Sequence, residues 1–439
     1  MNRRYVFAAG VSAAAAVMAW AFFRAGFPGV IFDSLHYYTL ASIVATEGLW
    51  NLSSRVRMYG YPFFVAIATG FTDPPPELAR AVVASVQVVV LLAAAWYAAR
   101  VTERVFRAPR VFEPVFALTA LNPIALIRAT ELLSDSVSAV LVGLSLFASL
   151  EEGRTTRRAA LAFLAAGASI AMRPANLVIL PALALLWILR ARLYGSGERG
   201  RLGGVFALGA VCIALALAPQ LHGNVKAWDA WRPLVVERLY GSQTAWGTAI
   251  LKYGTVVLPG QPPELVYRNP MQPEGVWNPR QFLRERPLGY LKTLGAHGFA
   301  MFDHDFPYTY ITGRPPAWRW PLALANYAFL FLSGFGLAVL LADPRTRRTP
   351  AGLYGAGAAL YAMALVAVYL PVAVESRFSL PLYFFLPPAA VAAVRWLSGR
   401  RSGTIIAVAI VGGGFVAVCV QLSRWMSKLA SVSGIEFPP

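Results

Sequence analysis

The chain has 439 residues, 57% hydrophobic and 14% charged, with two cysteines and a formal net charge of +18. So apolar a composition excludes an ordinary soluble domain of this size, because too little polar surface remains to cover one. Two cysteines inside apolar runs, Cys212 and Cys419, exclude a disulfide framework and a cysteine-based metal site. The charge does not point to nucleic acid, since the arginines fall in short clusters between apolar runs.

Taken in chain order, stretches apolar enough to span a hydrocarbon core fall at 5–25, 78–99, 111–127, 132–150, 158–172, 175–192, 203–221, 320–342, 351–371, 378–396 and 403–424. A helix satisfies every backbone N–H and C=O internally, so in lipid these runs are expected to be helical. The reading is an all-α polytopic membrane protein of about eleven spans. The leading MNRR and its apolar run are read as a retained first span, because no small-residue cleavage site comes after it. With Arg3 and Arg4 inside, the amino terminus is cytoplasmic and the carboxyl terminus outside. The basic clusters at Arg100 to Arg110, Arg154/Arg157/Arg158, Arg190 to Arg201, Arg345/Arg347/Arg348 and Arg395/Arg400/Arg401 then all fall on the cytoplasmic side.

On this map the chain divides into an N-terminal membrane module (1–221), an external region (222–319) and a C-terminal membrane module (320–439). The first module carries an external loop of its own at 26–77, and the large external region precedes span eight. Cytoplasmic loops are too short to hold a catalytic domain. In the first external loop, Asp33–Thr46 reads as an interfacial helix opened by an Asp or Ser cap and closed near Gly48. Tyr61–Phe71 is apolar but too short to span, so it is placed in the interface as well. The region 222–319 is expected to form short helices and loops. There is no internal repeat and no glycine-rich phosphate loop.

Asp33 lies just beyond the first span in Phe32-Asp33-Ser34-Leu35-His36-Tyr37-Tyr38. A carboxylate so near the membrane is costly unless it has a task. It reads either as a helix N-cap or as a general base for an acceptor hydroxyl. Arg57, Arg128, Arg173 and Arg377 sit at external boundaries against the positive-inside trend. A guanidinium presents a planar fork that matches phosphate oxygens and cannot lose its charge, so a lipid phosphate is the expected ligand. The alternative is snorkelling or a local ion pair such as Glu375 with Arg377. Asp303-His304-Asp305, with His297 before it, resembles a metal-binding D-x-D, but these residues alone do not specify a metal site. A loop role and a substrate contact, through His304, both remain open. Trp228, Trp231, Trp246, Tyr308, Tyr310 and Trp318 read as an aromatic belt or as sugar-stacking rings.

Asp33, then Tyr37-Tyr38-x-Leu40-Ala41, Gly48 and Tyr59-Gly60-Tyr61-Pro62, resembles the GT-C superfamily of membrane glycosyltransferases. The resemblance is closest to the branch of protein O-mannosyltransferases and bacterial polyprenyl-phosphate-sugar enzymes. Glu131-Leu132-Leu133-Ser134-Asp135-Ser136, Met172-Arg173-Pro174-Ala175-Asn176 and Glu375-Ser376-Arg377-Phe378-Ser379-Leu380-Pro381 are similar to external-side motifs of that branch. It implies that Asp33 is the catalytic aspartate. Many members carry a second acid beside it; here Ser34 stands there, which leaves Glu131 or Asp135. Tyr37 joins Arg57, Arg128, Arg173, Arg377 and His304 as a candidate substrate contact.

The resemblance therefore implies an inverting glycosyltransferase of the bacterial cytoplasmic membrane with its active site facing the periplasm. Its partners would be a polyprenyl-phosphate sugar and a glycan, glycolipid or protein acceptor. A divalent cation is compatible with this reading and not required by it. A lipid-linked-sugar flippase and a non-catalytic lipid-binding subunit are the alternatives; the first should show charges in the bilayer core or a repeat between halves.

Overall fold

The computed structural model describes residues 3–151, 155–237, 239–256, 264–304, 308–311 and 318–432. Arg154 and Asp305 lie outside them. The chain forms two compact units. The first comprises Met1–Glu237, Ser333–Ala364 and Leu380–Val394; the second comprises Arg238–Leu332, Leu365–Ser379 and Arg395–Pro439.

Among the described residues seven helices are long and apolar enough to cross a membrane, or nine if each of two bent pairs is one span. The eleven predicted spans all fall on helical segments, but the count of eleven is not reproduced. Asp135–Leu150 is apolar yet only 16 residues long, about 24 Å at 1.5 Å per residue and short of a full hydrocarbon core. Thr155–Met172 has 18 residues but carries Arg157 and Arg158 near its start.

One bent pair, Pro109–Ala120 and Pro123–Ala129, turns by 51°. Asn122 makes the break: its side-chain oxygen accepts the backbone N–H of Ile124 (3.0 Å) and Ala125 (3.1 Å), and Pro123 opens the second piece. An Asn cap with proline after it starts a new helix more readily than it continues an old one. The other pair, Ser376–Phe384 and Leu386–Ser398, bends by 58°.

At the centre of the first unit is Asp135–Leu150, buried on nearly every face, as expected of a helix that is apolar all round. Thr155–Met172 packs beside it, with Ser145 Oγ donating to the Ala162 carbonyl at 2.8 Å. Leu202–Trp228 lies against Thr155–Met172 through Gly167, where a Cβ would stand 2.7 Å from that of Ala216. Small residues let helix backbones approach closely where packing, not water, drives association.

Residues assigned to the cytoplasmic side meet one another in this unit. Arg4 pairs with Glu103 at 2.6 Å, Arg104 pairs with Glu151, and Arg190 donates to the carbonyls of Ser149 (2.9 Å) and Glu151 (3.0 Å).

The second unit holds a feature the all-α expectation lacked, a four-stranded sheet in the order β3-β1-β2-β4. β1 (Ile250–Val256) and β2 (Glu264–Arg268) pair antiparallel; β3 (Tyr310–Ile311) runs parallel to β1, and β4 (Ala430–Val432) antiparallel to β2. Short helices were expected in 222–319 and are found at Leu239–Ala249, Pro279–Glu285 and Pro287–Ala300. The strands were hidden because two of their partners, β3 and β4, come from distant chain.

Asp303 and His304 belong to this unit's interior. Asp303 has no exposed surface, and its carboxylate accepts the Tyr327 hydroxyl (2.7 Å) and the Ser423 hydroxyl (3.1 Å). Lys252 Nζ donates to the Asp303 carbonyl at 2.6 Å and lies 3.5 Å from its carboxylate. A buried ion pair with its remaining oxygens satisfied is a structural tie. His304 beside it is likewise fully buried.

Candidate active site

The segment 26–77 is built around the helix Phe32–Glu47, close to the predicted Asp33–Thr46, and that helix ends at Gly48 with φ +89°. Its cap corrects one expectation. Ser34 Oγ accepts the Ile31 N–H (2.9 Å) and donates to the Ile31 carbonyl (2.6 Å), closing the first turn. Asp33 is therefore not spent on capping. Phe32, just before it, has φ +46°, a left-handed conformation costly for a bulky side chain and most often found at functional positions.

The Asp33 carboxylate instead forms an ion pair with Arg57. Arg57 comes from the irregular segment 52–59, where its N–H donates to Ser54 Oγ at 3.1 Å. Its guanidinium lies 5.2 Å from the centre of the Tyr37 ring. One turn along from Asp33, Tyr37 is buried beneath that cation. The Tyr37 hydroxyl lies 3.2 Å from Ser134 Oγ, and its ring meets Tyr61 edge-on at 4.9 Å.

From here two branches reach the other candidate acids. Ser134 precedes Asp135 at the start of Asp135–Leu150. Asp135 was weighed as a cap, but it is ion-paired with Arg173. Arg173 is extended, with φ −144° and ψ 113°, because Pro174 comes directly after it. Asn176 ties the motif down by donating to the Ser169 carbonyl at 3.1 Å. On the second branch, the Tyr61 hydroxyl meets Gln87 Oε1 at 3.3 Å. Gln87 then donates to the carbonyls of Ala129 (3.1 Å) and Glu131 (2.7 Å). Glu131 is paired with Arg128 at 2.9 Å.

Asp33, Arg57, Tyr37, Glu131, Arg128, Asp135 and Arg173 are thus one network in the first unit. Gln87 and Ser134 were missed as its members. The signal for Gln87 was available: it is a fully buried amide within the apolar helix Pro76–Val105, and such a group needs a partner. His36 was also passed over. It senses both Arg57 and Asp33, and its imidazole is held below its ordinary value, chiefly by burial and then by Arg57, against the opposing pull of Asp33.

Arg377 lies in the second unit, where Nε stands 2.7 Å and Nη2 2.8 Å from the two oxygens of Glu375. This is the local ion pair that was one of its two readings. Among the described residues, no group of three or more His, Cys, Asp or Glu side chains comes together as a metal site.

These features define a protein with several helices long and apolar enough to cross a membrane that gathers paired acids and arginines in its first unit. Among solved structures it resembles the crystal structure of ArnT from Cupriavidus metallidurans bound to undecaprenyl phosphate. The match covers 97% of this chain and 70% of that one, at 14% identity and a TM-score of 0.52. The apo crystal structure of the same protein matches over 90% of this chain and 78% of that one, at 13% identity and a TM-score of 0.41. At that identity the first match shows a shared fold, in keeping with the resemblance that the motifs carried. No protein-family model matches the chain, and no curated protein matches it by sequence.

Proposed function

We propose that the protein is a glycosyltransferase that moves a sugar from a polyprenyl-phosphate donor to an acceptor hydroxyl on the external face of the bacterial cytoplasmic membrane. The observation that carries this reading is the Asp33–Arg57 pair and its link through Tyr37 and Ser134 to Asp135–Arg173. It supports the reading because it joins carboxylates and guanidinium groups, the chemistry that the step needs, in one network. The fold shared with a protein crystallised with undecaprenyl phosphate supports a lipid-phosphate donor.

In the proposed step Asp33 takes the proton of the acceptor hydroxyl as that oxygen attacks the anomeric carbon. The bond from the anomeric carbon to the phosphate oxygen breaks, and its electron pair leaves with the lipid phosphate. Arg57 and Arg173 stabilise the charge that develops there. One displacement inverts the anomeric configuration. Asp135 and Glu131 orient Arg173 and Arg128 and touch no reacting atom. Two further arrangements support the external orientation. The candidate residues of the first unit all lie in one network, apart from the cytoplasmic-side pairs. In the second unit β4, after the last helix, joins the sheet of β1 and β2, so residues 430–432 and these two strands share one side.

The test is transfer from a panel of radiolabelled polyprenyl-phosphate sugars in membranes, comparing wild type with Asp33→Asn. Transfer that is lost in a well-expressed variant supports the assignment. Equal transfer by both proteins overturns Asp33 as base, and no transfer from any donor favours the flippase or the lipid-binding subunit.

A further inference from the structure

The three acid–arginine pairs of the first unit are not equivalent. In Arg128–Glu131 the side chains are 2% and 11% exposed, and in Arg173–Asp135 19% and 2%. Drawing either arginine away would leave a buried carboxylate without its counter-ion, which is strongly unfavourable. In Arg57–Asp33 the figures are 26% and 31%, so both groups keep access to water and the pair is held weakly.

The surroundings of Arg57 suit movement of its head group. Its backbone is irregular, and its guanidinium lies over the Tyr37 ring, 5.2 Å from the centre. Cation–π attraction is broad in position, so a guanidinium can slide across a ring at small cost. Tyr37 itself is fixed by Ser134 and Tyr61. A partly exposed cation thus sits over a ring held from two sides. Meanwhile the carboxylate it engages is the one that must accept a proton in the proposed step, and a guanidinium bonded to a carboxylate stabilises its charge and so works against protonation.

Resting on the reading that the donor is a polyprenyl-phosphate sugar, we propose that Asp33 and the donor phosphate compete for Arg57. Transfer of the guanidinium to the phosphate frees the carboxylate for catalysis. Arg57 thereby couples donor binding to release of the base, a task that neither Arg128 nor Arg173 can perform while tied to its buried acid. A hydroxyl, including that of water, would meet a competent base only after the donor has arrived.

The experiment is a binding measurement on the full chain in zwitterionic nanodiscs, titrated with undecaprenyl phosphate, and in parallel with inorganic phosphate and with phosphatidylglycerol. Wild type, Asp33→Asn, Arg57→Gln and the double variant are compared. Asp33→Asn is expected to bind undecaprenyl phosphate roughly threefold to tenfold more tightly than wild type, the size expected from losing one half-exposed competitor. Arg57→Gln is expected to bind more weakly, and the double variant no better than Arg57→Gln. Unchanged or weaker binding by Asp33→Asn overturns the exchange, as does a gain that persists without Arg57, which would be simple charge repulsion. An equal gain for inorganic phosphate or phosphatidylglycerol overturns the polyprenyl phosphate as the competing ligand. If wild type binds undecaprenyl phosphate no better than phosphatidylglycerol, the donor reading falls and the exchange with it.

Discussion

Gly60 and Ala171 touch backbone to backbone: a Cβ on Gly60 would stand 2.7 Å from the Ala171 carbonyl carbon and oxygen, and 3.0 Å from the Met172 nitrogen. The contact joins the Tyr59-Gly60-Tyr61-Pro62 motif to the segment that presents Arg173 two residues later. It sets the spacing between the two arms of the candidate site, because Tyr61 supports Tyr37 and Arg173 holds Asp135.

Gly60→Ala must therefore push the two segments apart. The obstacle is backbone, which cannot rotate away, so a loss of about 1–3 kcal/mol is expected, the usual cost of overpacking. Melting temperature and transfer rate should fall together in the purified protein. An unchanged melting temperature would show that the approach is looser than described.

Arg173→Gln is expected to harm the protein more than Asp135→Asn with Arg173→Gln. The single change strands a carboxylate whose side chain is 2% exposed, a defect worth about 3–5 kcal/mol. The double change removes both charges and leaves two amides able to hydrogen-bond. Melting temperatures in detergent should rank wild type first, the double variant second and Arg173→Gln last. The reverse order of the two variants would mean that Asp135 is held by other groups.

His297 predicts a pH dependence. Its Nδ1 lies 2.6 Å from the Leu370 carbonyl and its Nε2 2.8 Å from the Ile250 carbonyl. Neutral imidazole carries one N–H and can donate to only one of them. Burial, the largest influence, nevertheless keeps its pKa below the ordinary value of 6.5, against the two carbonyls that raise it. With the folded value depressed, the unfolded chain protonates first as pH falls through about 6.5, so stability drops from there until the folded pKa is reached. Melting temperature should be flat above neutrality and decline as pH falls below about 6.5. The decline should shrink in His297→Asn, whose amide does not titrate.

How much was legible in the sequence varied with the distance between partners. Phe32–Glu47 could be read because its cap and closing glycine are local. The Arg128–Glu131 pair, three residues apart on one turn, obeys a local rule and was within reach. Asp33 with Arg57 was not, since 24 residues of helix and irregular chain separate them. The sheet was the least legible part, because β4 joins β2 from across the whole C-terminal stretch, and register is set only when both are in place. The burial of Lys252 and Asp303 depends on that sheet, which is why Asp303-His304-Asp305 resembled an exposed metal motif while Asp303 and His304 are interior residues.

The one-to-one matching of acids and arginines in the first unit bears on energetics across the membrane. Asp33, Glu131 and Asp135 are each offset by Arg57, Arg128 and Arg173. In the proposed transfer, a phosphodiester donor brings one negative charge. On transfer, the lipid phosphate becomes a monoester and gains a second, while Asp33 loses its own to the acceptor's proton. The total charge in the site is the same before and after the bond is exchanged. In a medium of low dielectric that constancy matters, because charge is relocated over a few ångströms and none is created. A transfer step of this kind leaves the net charge of the site unchanged, so the transmembrane potential acts on it only through that short displacement.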